Sequence, residues 1–501
     1  MRAVFAFVIG VVVTIPAGSD QNVQALVGAS LVDAGRGVVL PGTTIIVRDG
    51  RIERIGPAAD VPVPPGATRT DLTGKFILPG LISAHVHVSD VNGLGPRAYT
   101  DGNTRRQLAV FARYGITTVL SLGGEQAPAF SARSAQNVAG LDRARIFVSG
   151  DVLDPRTADE ARAEVARVAA QKPDWIKIRV DDNLGTSARM PPAAYQAVIA
   201  EAHARGLKVA AHIYYLDDAK ALLKAGVDMI AHSVRDREID DEFIALMKTR
   251  AVPYCPTLTR ELSTFVYEST PDFFADPFFL RDADPAVVAR LREPARQQAM
   301  RESKAAQTYK TQLPVAMRNL KRASDAGVLI AMGTDAGPFP ERFQGYFEHV
   351  ELAMMVEAGL SPAQVLRSAT TDAARAAGLK DLGTLTAGAW ADLLVLDRNP
   401  LDNIRNSRAI HSVWIGGRQW GSERARARPH DPFAPILDRA ARLNVVGDPR
   451  AGDDRPVQRA DDGGRAYVGR LVVELEVHGR AGDRAHNREI GRLAGFRHER
   501  D

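Results

Sequence analysis

Residues 79–87 read PGLISAHVH, and the prediction of both the fold and the site starts from this stretch. An apolar segment ends there in His85 and His87, which are two positions apart. Side chains at i and i+2 of a β-strand point to the same face, so both imidazoles can reach one metal ion. A single His-x-His pair is weak evidence, because a histidine on a buried strand is often an ordinary core residue. Other segments of the chain have to distinguish these two interpretations.

Three further apolar segments end in a side chain that can bind a metal. His212 closes KVAAH, His232 closes MIAH, and Asp335 closes AMGTD. Barrels of alternating strands and helices place their active sites at the carboxyl ends of the strands, so these side chains converge. The sequence therefore predicts a metal site. Because Cys255 is the only cysteine, an internal disulfide and a cysteine-based zinc cluster are excluded.

A lysine lies within another apolar segment. Lys177 stands in WIKIRV, where a buried ammonium group costs on the order of several kcal/mol unless it is paired or neutralised. Its neutral amine can react with carbon dioxide to give a carbamate that bridges two metal ions. The alternative is an ion-paired or snorkelling lysine. The histidines and the aspartate at the neighbouring strand ends favour the carbamate.

The spacing of the apolar segments predicts an α/β fold. The eight predicted strands cover residues 81–86, 117–122, 145–149, 175–180, 207–212, 227–232, 252–257 and 328–335. Helix-length segments separate them, which is typical of a (β/α)8 TIM barrel, here over residues 79–383. Residues 264–280 form a long insertion rich in Phe, Asp and Pro, for which we expect a lid or a substrate wall. Both flanks of the barrel, around residues 43–55 and 390–420, have β-rich patterns.

The two ends of the chain differ from the rest. Residues 1–19 combine a basic start, an apolar run and small residues before Asp20, which is typical of a cleaved signal peptide. A secreted or periplasmic protein is expected, and a buried strand or an uncleaved anchor is the alternative. Residues 421–501 are rich in Arg, Asp and Gly. This tail is interpreted as a disordered appendage, with an unnatural extension or a basic interaction arm as alternatives.

The composition bounds the class of protein. The 501 residues carry 64 basic and 60 acidic side chains, a formal charge of +4, so nothing favours a nucleic-acid partner. Hydrophobic residues at 45% and charged residues at 25% are typical of a folded protein. The apolar run at residues 3–13 is shorter than the roughly 20 residues that a membrane span needs. We expect a small-molecule substrate, no stable membrane span and a possible homo-oligomer.

Several motifs together resemble those of the amidohydrolase superfamily. They are PGLI at 79–82, MGTD at 332–335, SPAQ at 361–364, AT at 369–370 and GTLTAGAWADL at 383–393. The resemblance covers about residues 25–420 and is strongest to imidazolonepropionase-like amidohydrolases and metal-dependent Xaa-Pro dipeptidases. It implies that residues 20–78 and 384–420 together form a small β-sandwich domain beside the barrel.

The resemblance also implies two divalent metal ions, with zinc expected. The more buried ion would be bound by His85, His87 and Asp335. The more exposed ion would be bound by His212 and His232, with Lys177 as an N6-carboxylysine bridging the two.

The same resemblance implies catalytic roles. Asp335 would accept a proton from the water that bridges the two metal ions, which leaves hydroxide, and would pass the proton to the leaving nitrogen. Tyr214 would hydrogen-bond the tetrahedral oxyanion, and a packing tyrosine is the alternative. His212 and His232 are 20 positions apart, as in the dipeptidase-type members. Deaminase members carry a glutamate three positions after the first of these histidines, and Tyr215 stands there instead, so deamination is disfavoured.

The expected function is hydrolysis of a C–N amide bond in a peptide, an N-acyl amino acid or a cyclic amide. Hydrolysis of lactones or organophosphate esters at the same binuclear site is the alternative. A non-catalytic scaffold is disfavoured because all six ligand positions are present. Tyr215, Arg235 and Arg260 follow strand ends and are candidate substrate-binding residues. Surface salt bridges would explain the two arginines equally well.

Overall fold

The computed structural model describes residues 23–421. The predicted signal peptide at 1–19 and, apart from Gly421, the predicted tail at 421–501 lie outside these residues. Among the helices between residues 23 and 421, none combines the length and the apolar character that crossing a membrane requires.

The strands are numbered in chain order. They are β1 (Val23–Asp33), β2 (Val38–Arg48), β3 (Arg51–Pro57), β4 (Thr68–Asp71), β5 (Phe76–Pro79), β6 (Leu81–Val86), β7 (Ile116–Ser121), β8 (Arg145–Val148), β9 (Val152–Leu153), β10 (Trp175–Arg179), β11 (Lys208–His212), β12 (Met229–Ala231), β13 (Tyr254–Cys255), β14 (Leu393–Leu396), β15 (Ile410–Ile415) and β16 (Arg418–Gln419).

The α-helices are numbered in the same way. They are α1 (Asp101–Arg113), α2 (Ala127–Ser134), α3 (Ala158–Ala169), α4 (Pro192–Ala204), α5 (Leu216–Ala225), α6 (Asp241–Thr249), α7 (Leu258–Leu262), α8 (Pro277–Leu280), α9 (Pro285–Leu291), α10 (Pro294–Glu302), α11 (Lys304–Asp325), α12 (Tyr346–Glu357), α13 (Pro362–Ser368) and α14 (Thr371–Ala377). Short 3-10 helices cover Val266–Glu268, Asp272–Ala275 and Ile404–Arg408.

Parallel strands alternate with helices through the middle of the chain, which confirms the α/β prediction. β6, β7 and β8 pair in one sheet, and β9 to β13 pair in another. The segment 328–336 lies between β13 and β6, which it meets through the bridges Tyr254–Ile330 and Val86–Ala336. These bridges connect the two sheets on one side, with the eighth predicted strand between them.

The eighth strand pairs only through isolated bridges, and close packing gives the reason. A Cβ atom on Gly333 would lie 2.7 Å from the backbone nitrogen of His85 and 2.6 Å from Cys255 Sγ. The chain then turns at Asp335, whose φ of 59° lies in the left-handed region. A regular ladder of strand hydrogen bonds cannot continue through this turn. The side chain of Asp335 therefore leaves the strand direction and points into the barrel mouth.

The two flanks of the chain pair with each other beside the barrel. Their strands form one eight-stranded sheet in the order β16-β15-β14-β5-β1-β2-β3, with β4 attached to β1. The antiparallel pair of β5 and β14 joins the N-terminal flank to the C-terminal flank. The flanks therefore combine in one sheet, and its closure into a two-layer sandwich stays a prediction.

β14 belongs to two hydrophobic cores at once. Leu393 and Val395 pack among the residues of the flanking sheet. Leu394 and Leu396 pack into the large core that includes the barrel and its helices. Alternate side chains of a strand point to opposite faces, so one strand buried on both faces connects the two cores.

The long insertion follows β13 and packs through aromatic side chains. The rings of Phe273 and Phe279 lie 5.1 Å apart, and the Phe279 ring lies 5.0 Å from that of Tyr346 in α12. The Tyr267 hydroxyl donates a 2.6 Å hydrogen bond to the carbonyl of Glu341. The insertion is thereby attached to the loop that follows Asp335.

Candidate active site

Asp335 lies at the centre of the cluster that the sequence predicts. Its Oδ1 is 2.8 Å from His87 Nε2 and 3.5 Å from His85 Nε2. His85 is fully buried, and its Nε2 lies 3.0 Å from Lys177 Nζ. Four of the predicted ligands therefore lie in one continuous group at the barrel mouth.

The other two histidines continue this group. The His232 ring lies 4.5 Å from the His85 ring and 4.1 Å from the His212 ring. Ligand atoms of His85, His232 and Asp335 all lie within 4.8 Å of one another. His212 differs, because its Nε2 faces Asp181 Oδ2 at 3.1 Å.

The donor set fits a divalent metal. His87 Nδ1 lies 3.1 Å from the carbonyl oxygen of Gly123, which can only accept a hydrogen bond. In the neutral ring the lone pair is then on Nε2, facing a carboxylate oxygen of Asp335. Two atoms with lone pairs this close share either a proton or a metal ion, and a divalent ion would fit this position. His85 Nδ1 is buried and makes no hydrogen bond within residues 23–421.

Backbone strain marks the ligand-bearing strand ends. His232, Thr257 and Asp335 have φ values of 78°, 50° and 59°, in the left-handed region that non-glycine residues rarely adopt. Such residues each cost about 1–3 kcal/mol and persist where the surroundings over-determine them. Sites of catalysis and ligand binding are where they cluster.

Burial keeps His85, His212 and His232 neutral. Burial lowers the pKa of His212 to about 4. Burial, together with nearby charges such as Lys177 and His212, holds the pKa values of His85 and His232 well below their ordinary value. A neutral imidazole is the form that binds a metal ion.

Lys177 is buried beside these rings without a counter-ion. Its side chain makes no ion pair with a carboxylate in the part of the chain that the structure describes, and its ammonium nitrogen lies within hydrogen-bond distance of His85 Nε2. Burial lowers the pKa of Lys177 to about 8. A neutral amine near neutral pH is the species that reacts with carbon dioxide.

Glu125 positions His87 indirectly, and the sequence analysis missed it. It is almost fully buried and accepts hydrogen bonds from Ser121 Oγ at 2.6 Å and from the backbone N–H of Gly123 at 2.8 Å. Gly123 is the residue whose carbonyl contacts His87 Nδ1. Partners of this kind orient metal-binding imidazoles. The GGE sequence directly after the second barrel strand was the available signal.

Arg342 was also missed, and no sequence pattern points to it. Its guanidinium forms an ion pair with Asp335 Oδ2, and both side chains are about one-tenth exposed. Burial would raise the pKa of the Asp335 carboxyl, but Arg342 and His87 hold that pKa well below its ordinary value. The carboxylate is therefore ionised.

Asp181 is a third residue that the sequence analysis missed. It directly follows Val180, the last residue of the predicted fourth strand, and is almost fully buried. Burial would raise its pKa, but His212 and Arg179 hold it below its ordinary value. An ionised carboxylate thus stands beside the ring of His212.

The predicted oxyanion donor, Tyr214, is the second residue after the end of strand β11. Burial raises the pKa of its phenol to about 12, so the hydroxyl is protonated and able to donate. The next residue, Tyr215, packs edge-on against it at 4.6 Å. The Tyr215 hydroxyl donates to Asp182 Oδ1 at 2.9 Å, and the Arg189 guanidinium lies 3.7 Å above the Tyr215 ring.

The two predicted substrate-binding arginines share one carboxylate. Glu261 lies 2.9 Å from Arg235 Nε and 3.0 Å from Arg260 Nη1. Both arginines form salt bridges, as the alternative expects, but Arg235 is fully buried and Arg260 is 7% exposed, so these pairs lie in the interior and not at the surface. Arg235 also donates to two backbone carbonyls, whereas Arg260 reaches the Tyr309 hydroxyl at 3.2 Å. The ionised carboxylates of Asp335 and Asp181 also interact with Arg260 and Arg235, respectively, so the two guanidinium groups belong to a wider charged network.

Comparisons with known proteins agree with this geometry. The model of the amidohydrolase family matches residues 76–420. The chain is 27% identical to a putative prolidase from Bifidobacterium longum of known structure, with a TM-score of 0.64 over 84% of this chain and 99% of that one.

Two curated relatives match over most of their length. Ochratoxinase of Aspergillus niger is 24% identical over 80% of this chain and 88% of its own. Imidazolonepropionase of Deinococcus radiodurans is 24% identical over 76% of this chain and 92% of its own.

Proposed function

The chain belongs to the amidohydrolase family, and on that premise we propose that it is a metal-dependent hydrolase of C–N amide bonds. The observation that carries the proposal is the buried cluster in which Asp335 contacts His85 and His87, while His85 contacts Lys177 and His232. Packing alone would not gather neutral imidazoles, an ionised carboxylate and an unpaired lysine at one point.

The residues that would hold two divalent ions, with zinc expected, are His85, His87, Lys177 as N6-carboxylysine, His212, His232 and Asp335. Bound ions of this kind polarise a carbonyl and lower the pKa of water toward neutrality. His212 can bind a metal ion in one of two ways. Its Nε2 would have to leave Asp181 and bind the ion, or the ring would have to bind through Nδ1.

The chain's own groups would then move the proton and orient the substrate. Asp335 is ionised and can accept a proton at Oδ1, while Arg342 holds its second oxygen. That proton would next be delivered to the leaving nitrogen. Tyr214 would donate its phenolic O–H to the oxygen that becomes negatively charged.

The guanidinium of Arg260, which pairs with Glu261 through Nη1, is the group that favours a substrate with a carboxylate near the scissile amide. Xaa-Pro dipeptides and N-acyl amino acids are such substrates. Arg260 is the stronger candidate for contacting the carboxylate, because Arg235 is fully buried and already bonded to backbone carbonyls. Tyr215 with Arg189 forms an adjoining polar wall.

Paired substrates test this proposal. We expect kcat/KM for an Xaa-Pro dipeptide or an N-acyl amino acid to fall sharply when its carboxyl group is amidated. Arg260→Met should reduce the difference in kcat/KM between the free acid and the amidated substrate. Arg260→Lys should keep part of that difference because the positive charge remains. Activity on lactones or phosphotriesters, with none on any carboxylate-bearing amide, would replace this function with the alternative one.

A further inference from the structure

Helix α12 carries two buried carboxylates on the face that meets the barrel. Glu348 and Glu351 are three positions apart, hence on the same side of the helix, and both are fully buried. Burial raises the pKa of Glu348 to about 7 and that of Glu351 to about 8. An apolar residue would be easier to bury at either position, so the carboxylates need another explanation.

Glu351 binds the start of helix α7. Its Oε1 accepts a hydrogen bond from the backbone N–H of Leu258 at 2.8 Å. Its Oε2 accepts from the N–H of Thr259 at 2.7 Å and from the Thr259 hydroxyl at 2.8 Å. The N–H of Thr259, the second residue of the helix, is one of the groups that the residue before a helix usually binds with its own side chain.

The residue before α7 is Thr257, and its side chain has a different partner. Thr257 has a φ of 50° and makes no capping hydrogen bond. Its hydroxyl lies 2.7 Å from His232 Nδ1. Because Glu351 binds the helix start, the Thr257 hydroxyl is free to fix the His232 ring with Nε2 available for a metal.

Glu348 holds the strained turn at Asp335 through the side chain of a neighbouring threonine. Its Oε1 accepts from the Thr334 hydroxyl at 2.7 Å and from Ser83 Oγ at 3.3 Å. Thr334 Oγ1 in turn accepts from the backbone N–H of Ala336 at 3.1 Å. These contacts enclose Asp335, whose φ is 59°.

We propose that Glu348 and Glu351 are positioning residues, which hold from one helix the two left-handed turns that present His232 and Asp335 to the metal ions. The proposal rests on the proposed function, since it assumes that these side chains bind metal. Neither glutamate touches a ligand directly. Glu351 acts through Thr257 on His232, and Glu348 acts through Thr334 on Asp335.

Zinc affinity of the purified protein, measured by competition with a chromophoric chelator, tests the Glu351 part. We expect Glu351→Ala and Thr257→Val each to weaken zinc binding by about 10–100-fold, as loss of an outer partner of a metal ligand typically does. The double variant should bind zinc about as weakly as Thr257→Val alone, because both changes act on one imidazole. Glu357→Ala, an exposed change on the same helix, is the control and should leave the affinity unchanged.

Glu351→Gln provides a second variant that keeps the side-chain size if the alanine variant does not fold. Its carbonyl can replace one acceptor but its amide group meets an N–H donor, so an intermediate loss of affinity is expected. Thr257→Ser keeps the hydroxyl group and should therefore bind zinc with wild-type affinity, unlike Thr257→Val. For the turn at Asp335, Glu348→Ala and Thr334→Val should each weaken zinc binding. The variant with both changes should lose less affinity than the sum of the two single losses.

The possible outcomes separate the two proposals. Unchanged zinc affinity in Glu351→Ala or Glu351→Gln, even with a lower melting temperature, would reduce Glu351 to a packing role. Additive losses in the double variant would mean that Glu351 does not act through Thr257. A wild-type protein that binds no zinc or other divalent metal would overturn the proposed function itself.

Discussion

Lys177 is the residue whose chemistry depends most directly on burial. Burial lowers its pKa from the ordinary value to about 8, so the fraction of neutral amine rises as the pH passes through that value. We expect carboxylation of the metal-free protein to increase between about pH 7 and 9. Carbon-13 NMR in labelled bicarbonate measures the adduct, and Lys177→Met is the matched control. A carbamate signal that is independent of pH, or that persists in Lys177→Met, would contradict the assignment.

Removal of the Lys177 side chain should also remove metal. Lys177→Ala lacks the bridging group, so we expect it to lose most of the about two ions per chain that metal analysis should find in the wild-type protein. Short-chain acids with bicarbonate are expected to restore part of the metal. Full occupancy in Lys177→Ala would exclude a bridging role.

Asp335 and Tyr214 should differ in the size of their effects on turnover. Asp335→Asn is expected to lower kcat by several orders of magnitude, because both proton transfers pass through this carboxylate. Tyr214→Phe removes one oxyanion donor and should lower kcat by about 10²–10³-fold. Steady-state kinetics on the same substrate compares them. Near-normal turnover in Asp335→Asn would show that another group is the base.

At the level of elements, a buried ion pair connects barrel strand β8 to Asp392, the residue directly before strand β14 of the flanking sheet. Arg145 Nε lies 2.7 Å from Asp392 Oδ2, Nη2 lies 3.2 Å from Oδ1, and both side chains are at most 3% exposed. Asp392 also accepts from the N–H of Gly416. The pair therefore fixes how the C-terminal strands attach to the barrel.

Breaking this pair from one side should be costly. Arg145→Met leaves the Asp392 carboxylate buried without its partner, and we expect the free energy of unfolding to fall by about 3–5 kcal/mol in urea titrations. Adding Asp392→Leu should recover much of that loss. The exposed pair of Arg162 and Asp159 is the control, and Arg162→Met should cost less than about 1 kcal/mol. Equal losses in the free energy of unfolding for Arg145→Met and Arg162→Met would mean that burial of the Arg145–Asp392 pair does not make it more costly to break.

For the whole of the described chain, the double burial of β14 predicts one cooperative unit. Leu394 lies in the barrel core and Leu393 in the core of the flanking sheet. Leu394→Ala should cost about 2–5 kcal/mol and shift tryptophan fluorescence and far-UV circular dichroism together in urea. Leu393→Ala, on the opposite face, should shift the same single transition. Two separated transitions would show that the sheet and the barrel unfold independently.

The sequence by itself predicted the elements and the ligand positions because both are local patterns. Apolar segments with period-2 side chains locate strands, and a histidine or aspartate at a strand end such as His85 or Asp335 faces the barrel mouth wherever the strand packs. The family-model match confirms the resemblance that rested on these motifs. The metal, the carbamate and the roles of Tyr214 and Asp335 stay predictions.

Only the tertiary structure decided which residues support the site. Glu351 binds Leu258 across 93 positions, Glu348 reaches Ser83 across 265, and Arg235 pairs with Glu261 of helix α7. Such contacts join side chains from segments that each have an ordinary local pattern. Their partners are set by how the parallel strands and helix α12 pack together, and packing across long sequence separations leaves no periodic signal in the chain.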